Sequence, residues 1–175
     1  MHFEFSFKTD LPVDFVYHTI RDDLPRIVDY CRNIEKIEVL ERHETRDAVF
    51  LVNKWHGRDM ISTILKTFMG GDKIAWIGRA EWLKREYVCD WSFEPFVFKN
   101  NLTINGRDSY TSDGMGTKIV LAGEVETHFN SYVLLPSLFG REIAAVALAA
   151  MKPNFADIVT GLEKYVRYNK LVGNL

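Results

Sequence analysis

The chain has few of the residues that usually carry chemistry. Cysteine is scarce: Cys31 and Cys89 are the only two, far apart and outside any CxxC pair. That excludes a disulfide framework and leaves reduced thiols in a cytoplasmic compartment as the expectation. His2, His18, His43, His56 and His128 form no HxH or HExxH spacing, so no metal site is expected, and no cofactor either. No GxSxG elbow announces a serine nucleophile. Neither sign of charge dominates, with 22 basic against 24 acidic residues and a net charge of -2. The signs are interleaved, as in Glu41-Arg42-His43-Glu44, so the basic stripe of a nucleic-acid binder is missing. No uninterrupted apolar run reaches about 18 residues, so no transmembrane segment is expected. The opening Met-His-Phe-Glu-Phe-Ser-Phe-Lys lacks the basic and apolar regions of a signal peptide.

What the chain does have is aromatic side chains, at 13%, within a hydrophobic share of 47%. A length of 175 residues suits one domain spanning 1–175. A domain of this size buries roughly 70% of the surface its unfolded chain exposes.

The periodicity gives the element order. Phe3, Phe5 and Phe7 alternate with Glu4, Ser6 and Lys8, the pattern of a half-buried strand. Asp10 is a candidate N-cap and Pro12 a first-turn residue for a helix through Val13, Val16, Tyr17 and Ile20. Pro25 then interrupts, and Ile27, Val28 and Cys31 read as a second short helix. Strands follow at Glu35 to Glu41 and Ala48 to Trp55. The period then changes: Ile61, Ile64, Leu65 and Phe68 have helical spacing, within Asp59 to Met69 and before Gly70-Gly71. Alternation returns with Trp76, Gly78, Ala80 and Trp82, then with Cys89, Trp91 and Phe93. Leu102 and Ile104 belong to a further extended stretch, Phe98 to Tyr110. Ser112 to Gly116 forms a hairpin turn, and Ile119, Leu121, Gly123 and Val125 mark the last strand.

From about Ser137 to Leu171 one apolar stripe runs through Ala144, Ala147, Leu148, Met151, Phe155, Ile158, Val159, Leu162, Tyr165 and Val166. At 1.5 Å per residue this helix approaches about 50 Å. Pro153 lies inside it, and because the stripe continues, a kinked but unbroken helix is expected. The order is strand, two short helices, six strands and a long C-terminal helix: an α+β chain with an extra helix near 59–69.

That order resembles the helix-grip superfamily of START-like, Bet v 1-like (SRPBCC) proteins, which includes bacterial polyketide cyclase/dehydrase-like and lipid-transport members. The comparison rests on Leu11-Pro12-Val13-Asp14-Phe15-Val16-Tyr17 with Asp22, on Gly114-Met115-Gly116-Thr117, and on Pro153-Asn154-Phe155 through Gly161-Leu162-Glu163. The insertion at Asp59 to Met69 departs from the plainest version of the pattern, in which those strands meet in a hairpin. The resemblance implies an antiparallel curved sheet wrapped around the long helix, and an apolar cavity between them. Fold alone does not choose an activity.

Within that frame Trp76, Trp82, Trp91, Phe93, Leu102, Ile104 and Leu121 are the candidate sheet-side wall. Ala144, Ala147, Leu148 and Met151 are the candidate helix-side wall, in a stretch where Ala144, Ala145, Ala147, Ala149 and Ala150 leave room opposite the tryptophans. The segment with Ile61, Ile64, Leu65 and Phe68 is a candidate lid over a mouth rimmed by Leu134, Leu138 and Phe139. Asn53, His56, Arg58, Asp90, Asn100, Arg107 and Asp108 are polar residues on or beside strands. Any that turns inward becomes a candidate to orient a ligand, since buried polar groups need partners. The first functional reading is a carrier or sensor of a hydrophobic small molecule: lipid, polyketide, quinone or sterol-like. The alternatives are a cyclase/dehydratase- or hydrolase-like enzyme on such a ligand, which needs a buried acid–base group, and a module whose groove takes a protein partner's apolar segment.

Overall fold

The structure, a computed structural model, describes residues 1–58, 75–96, 101–128 and 140–171. The lid and mouth residues Ile61, Ile64, Leu65, Phe68, Leu134, Leu138 and Phe139, the glycines 70 and 71, and Asn100 lie outside the described residues.

Strand β1 spans His2–Thr9 and helix α1 Val13–Ile27, continued by a 3-10 turn at Val28–Tyr30. Strands β2 (Ile34–Glu44), β3 (Ala48–Gly57), β4 (Ala75–Leu83), β5 (Val88–Pro95), β6 (Leu102–Asp113) and β7 (Gly116–Thr127) follow, then helix α2 (Gly140–Leu171). The strands form one antiparallel sheet in the order β1-β7-β6-β5-β4-β3-β2. The tight β6–β7 turn needs a positive φ, and Gly114 supplies it at 68°.

Directly paired residues share a face of the sheet. The row Val49, Trp82, Cys89, Asp108, Leu121 and Phe5 therefore points one way, as does the row Asn53, Gly78, Phe93, Ile104 and Val125. This is the face that α1 and α2 cover. It carries the core, in which Val49, Trp82, Cys89, Leu121 and Val125 are all buried.

Two local expectations change. Pro25 does not interrupt α1, and the anticipated second helix is only the 3-10 turn. A proline in the last turn forfeits a single backbone hydrogen bond, and the buried Leu24, Ile27 and Val28 anchor that turn in the core. Asp10 does not cap α1: the cap position is Pro12, with no side-chain cap, and the Pro12 carbonyl accepts the first hydrogen bond, from Val16 at 3.0 Å.

Helix α2 runs unbroken through Pro153 for 32 residues, about 48 Å. By length and composition alone it is apolar enough to cross a membrane. Its buried stripe, Ile158, Val159, Leu162, Tyr165 and Val166, belongs to the core it shares with the sheet and α1. Ala145, Val146, Ala149 and Ala150 face outward. Asp157, also buried, fixes the helix to the chain that enters β2, accepting the backbone N–H groups of Arg32 and Asn33 at 2.6 and 2.8 Å. From α1, the buried Tyr17 hydroxyl reaches the carbonyls of Leu83 and Val88 across the β4–β5 turn, at 2.8 and 3.0 Å.

Candidate functional site

A cavity of about 70 Å³ lies between the covered face of the sheet and α2. Trp55, Trp82, Trp91, Phe93, Tyr110 and Leu121 line it from the strands, Ile20 and Leu24 from α1, and Phe155, Ile158 and Val159 from α2. Four of the rings form a continuous surface. Trp91 and Phe93 have centroids 4.9 Å apart, Phe155 sits 5.9 Å from Trp91 and 6.3 Å from Phe93, and Trp55 lies 5.8 Å from Phe93.

Glycines allow the rings to lie flat on the strands. A Cβ on Gly78 would stand 2.6 Å from Nε1 of Trp55, and one on Gly106 would stand 2.5 Å from the Trp91 ring. The space those glycines free is therefore occupied by indole rather than left open. This is why the cavity is small beside the roughly 300–1,000 Å³ of a site for a drug-sized ligand.

Two polar side chains turn into this apolar space. Asn53 and Asp108 are both buried and both line the cavity. The Trp91 indole N–H donates to Oδ1 of Asp108 at 2.6 Å. Burial pushes the Asp108 carboxyl up to about 7; hydrogen bonds from Trp91 and Tyr110 pull it down, and the Asp90 carboxylate adds to the rise. Burial, reinforced by Asp108, also holds Cys89 and Tyr110 protonated. Oδ1 of Asn53 and the indole nitrogens of Trp55 and Trp82 are buried with no hydrogen-bond partner among the described residues. Buried polar atoms without partners are rare in folded proteins, and each calls for an explanation.

The sequence-based candidates divide as follows. Trp82, Trp91, Phe93 and Leu121 line the cavity. Leu102, Ile104, Ala144 and Met151 are buried in the surrounding core, while Trp76, Ala147 and Leu148 are half-buried, with Trp76 stacked on Trp55 at 5.8 Å. The alanine stretch is not part of this cavity's lining. Only Ala144 is buried, Ala147 is half-buried, and Ala145, Ala149 and Ala150 are exposed. The helix residues that line the cavity with the indoles are Phe155, Ile158 and Val159.

Sequence reasoning left Trp55, Tyr110, Phe155, Ile158 and Val159 out of the wall. The signal for Asn53 and Asp108 was their phase: Asn53 shares a strand face with Leu51 and Trp55, and Asp108 with Ile104 and Tyr110. Asp90 and Arg107 point the other way and pair with each other at 2.6 and 2.7 Å. Arg58 reaches the Ile34 carbonyl at 3.2 Å, and His56 Nε2 lies 3.2 Å from Glu38 Oε1.

A larger hollow, of about 850 Å³, spreads over the opposite face of the sheet. It is broad and open, and Asp90, Arg107 and Arg79 along it are held in ion pairs. Enclosure and unpartnered polar atoms favour the smaller cavity as the site. Among the described residues no three His, Cys, Asp or Glu side chains converge as a metal centre requires.

No protein-family model matches the sequence, and no curated protein matches it. Solved structures do match in shape. The Zhui aromatase/cyclase from Streptomyces sp. R1128 aligns with a TM-score of 0.68 at 18% identity, over 100% of this chain and 99% of that one. TTHA0849 from Thermus thermophilus aligns with a TM-score of 0.67 at 19% identity, over 96% of this chain and 98% of that one. Ara h 8.0201 aligns with a TM-score of 0.56 at 13% identity, over 91% and 98%. At these identities the likeness is one of fold: the chain has the helix-grip fold of the START-like and Bet v 1-like proteins.

Proposed function

We propose that the chain binds an apolar small molecule in the cavity between the sheet and α2, as a carrier or sensor. The observation that carries this reading is the pairing of an apolar wall rich in aromatic rings with buried polar atoms that lack partners among the described residues, Asn53 Oδ1 and Trp82 Nε1. A ligand with an apolar body and a hydrogen-bonding group satisfies both. The 70 Å³ space accepts a small molecule or the head of a larger one. A lipid, polyketide, quinone or sterol-like ligand has to part Phe155 from Trp91 and Phe93. Free thiols at Cys31 and Cys89 suit a reducing compartment such as the cytoplasm.

Toluene tests the reading at the scale of the cavity. The indole N–H resonances of Trp82 and Trp91 should shift saturably as toluene is added. They should not respond in Val159→Trp, whose folding is checked by circular dichroism. No saturable shift in the parent protein, or the same shift in both, contradicts the reading.

A second reading is an enzyme acting on such a ligand. It is favoured by Asp108, a cavity carboxyl near neutrality and so matched to general acid–base work. The Zhui protein is an aromatase/cyclase by name, which makes cyclisation of a polyketide-like chain the first activity to assay. Asp108→Asn should abolish any turnover found while leaving toluene binding in place; turnover that survives it rules out Asp108 as the acid–base group.

A further inference from the structure

Asp108 is a buried carboxyl group that no cation faces among the described residues. Its flanking neighbours in the sheet are Cys89 and Leu121. Its hydrogen-bond donors, Trp91 and Tyr110, are neutral. The described titratable groups around it are Cys89 and Tyr110, with Tyr17 packed on Tyr110, all kept protonated by burial, and Asp90, which Arg107 engages on the opposite face of the sheet. Arg79 is the one cation among the described residues that line the cavity, and its guanidinium binds Glu94 at 2.8 Å. The helices α1 and α2 present only apolar residues to the cavity: Ile20, Leu24, Phe155, Ile158 and Val159. Among the described residues the cavity thus holds a carboxyl group whose ionised form has no counter-charge, within a wall of indole and phenyl rings and aliphatic side chains. At the β3 side, Asn53 Oδ1 is a second acceptor with no donor among the described residues.

Ring faces attract cations, most strongly when the cation is stripped of water. A buried carboxylate is costly unless a positive group meets it. Both demands are met by the same ligand feature. We propose that the cavity takes the protonated amine of a small organic base, with Asp108 as its counter-ion and the rings of Trp82, Trp91 and Phe155 as the box. The inference rests on the ligand-binding reading above and names its ligand class. The unpartnered indole N–H groups of Trp55 and Trp82 fit an oxygen elsewhere on the same molecule.

The test compares tert-butylammonium with tert-butanol, which share a shape and differ in the charged group. Binding to the whole chain is followed through the indole N–H resonances of Trp82 and Trp91, near pH 8 and near pH 5, on either side of the Asp108 value of about 7. The ammonium should bind roughly tenfold or more tightly than the alcohol near pH 8. That preference should vanish near pH 5, where Asp108 carries a proton, and in Asp108→Asn at both pH values. Should Asp108→Asn fail to fold, the pH comparison on the parent protein makes the same test. An alcohol that binds as well as the ammonium near pH 8 overturns the amine proposal and leaves the apolar-ligand reading standing. It marks Asp108 as a protonated acid that donates to a neutral ligand. If the ammonium, the alcohol and toluene all fail to bind, both proposals fall together.

Discussion

The Trp91 indole lies directly against Gly106, so close that a methyl group on the glycine would stand 2.5 Å from Cζ2 of the ring. The same indole donates to Asp108 at 2.6 Å. The glycine therefore sets where the ring lies, and the ring sets one hydrogen bond of the cavity carboxyl. Gly106→Ala drives a methyl group against both the ring and the backbone carbonyl of Ala122, so it should lift the ring, lengthen the Asp108 contact and lower stability by about 1–3 kcal/mol, as overpacking does. Chemical denaturation together with the Trp91 indole resonance checks both effects. Wild-type stability with an unmoved resonance contradicts this packing.

Asp157 holds α2 to the start of β2 through two backbone donors, Arg32 and Asn33. Asp157→Ala leaves those N–H groups without their acceptor and should cost about 1–3 kcal/mol. Asp157→Asn keeps one acceptor oxygen and should recover part of the loss. Equal stability of the alanine variant and the parent in urea denaturation shows that the clasp contributes nothing.

Asp108 gives stability a pH dependence of defined sign. Its folded-state value of about 7 stands above the ordinary carboxylate value of 3.8. Between about pH 4 and 7 the unfolded chain gives up the proton while the folded chain keeps it, so the folded state binds more protons. Stability from this group should fall as pH rises through that window and level off above it, by on the order of 4 kcal/mol in total. Asp108→Asn should flatten that part of the profile. A parent profile of the same slope as the variant between pH 4 and 7 contradicts an inward, buried carboxyl at this position.

Most of the fold was legible because strands and helices carry their burial in period. The phenylalanines of β1, the tryptophans of β4 and β5 and most of the stripe of α2 turn toward the core, buried or partly buried, as their spacing indicates. Pro25 misled because sequence shows the lost hydrogen bond but not the core anchorage of Leu24 and Ile27. The site was legible in part. Asp108 and Asn53 stand in phase with apolar neighbours, yet phase does not reveal which inward polar residue meets space and which meets a partner. Opposition across layers was not legible at all. Whether Ala147 or Val159 faces Trp91 depends on how α2 slides and rotates over the sheet, and no local pattern records that. The glycine–indole contacts at Gly106 and Gly78 were hidden for the same reason, since they join residues of different strands.

Native mass spectrometry of the protein purified without added ligand, beside Val159→Trp, tests the central claim most directly. If the space between the sheet and α2 is a ligand site, the parent protein should carry a small-molecule adduct. Mild collisional activation should release it, and the variant, with the same folded charge-state envelope, should lack it. An identical adduct on both proteins, or bare polypeptide mass for the parent even after apolar ligands are supplied, contradicts a ligand held against Trp91 and Phe155.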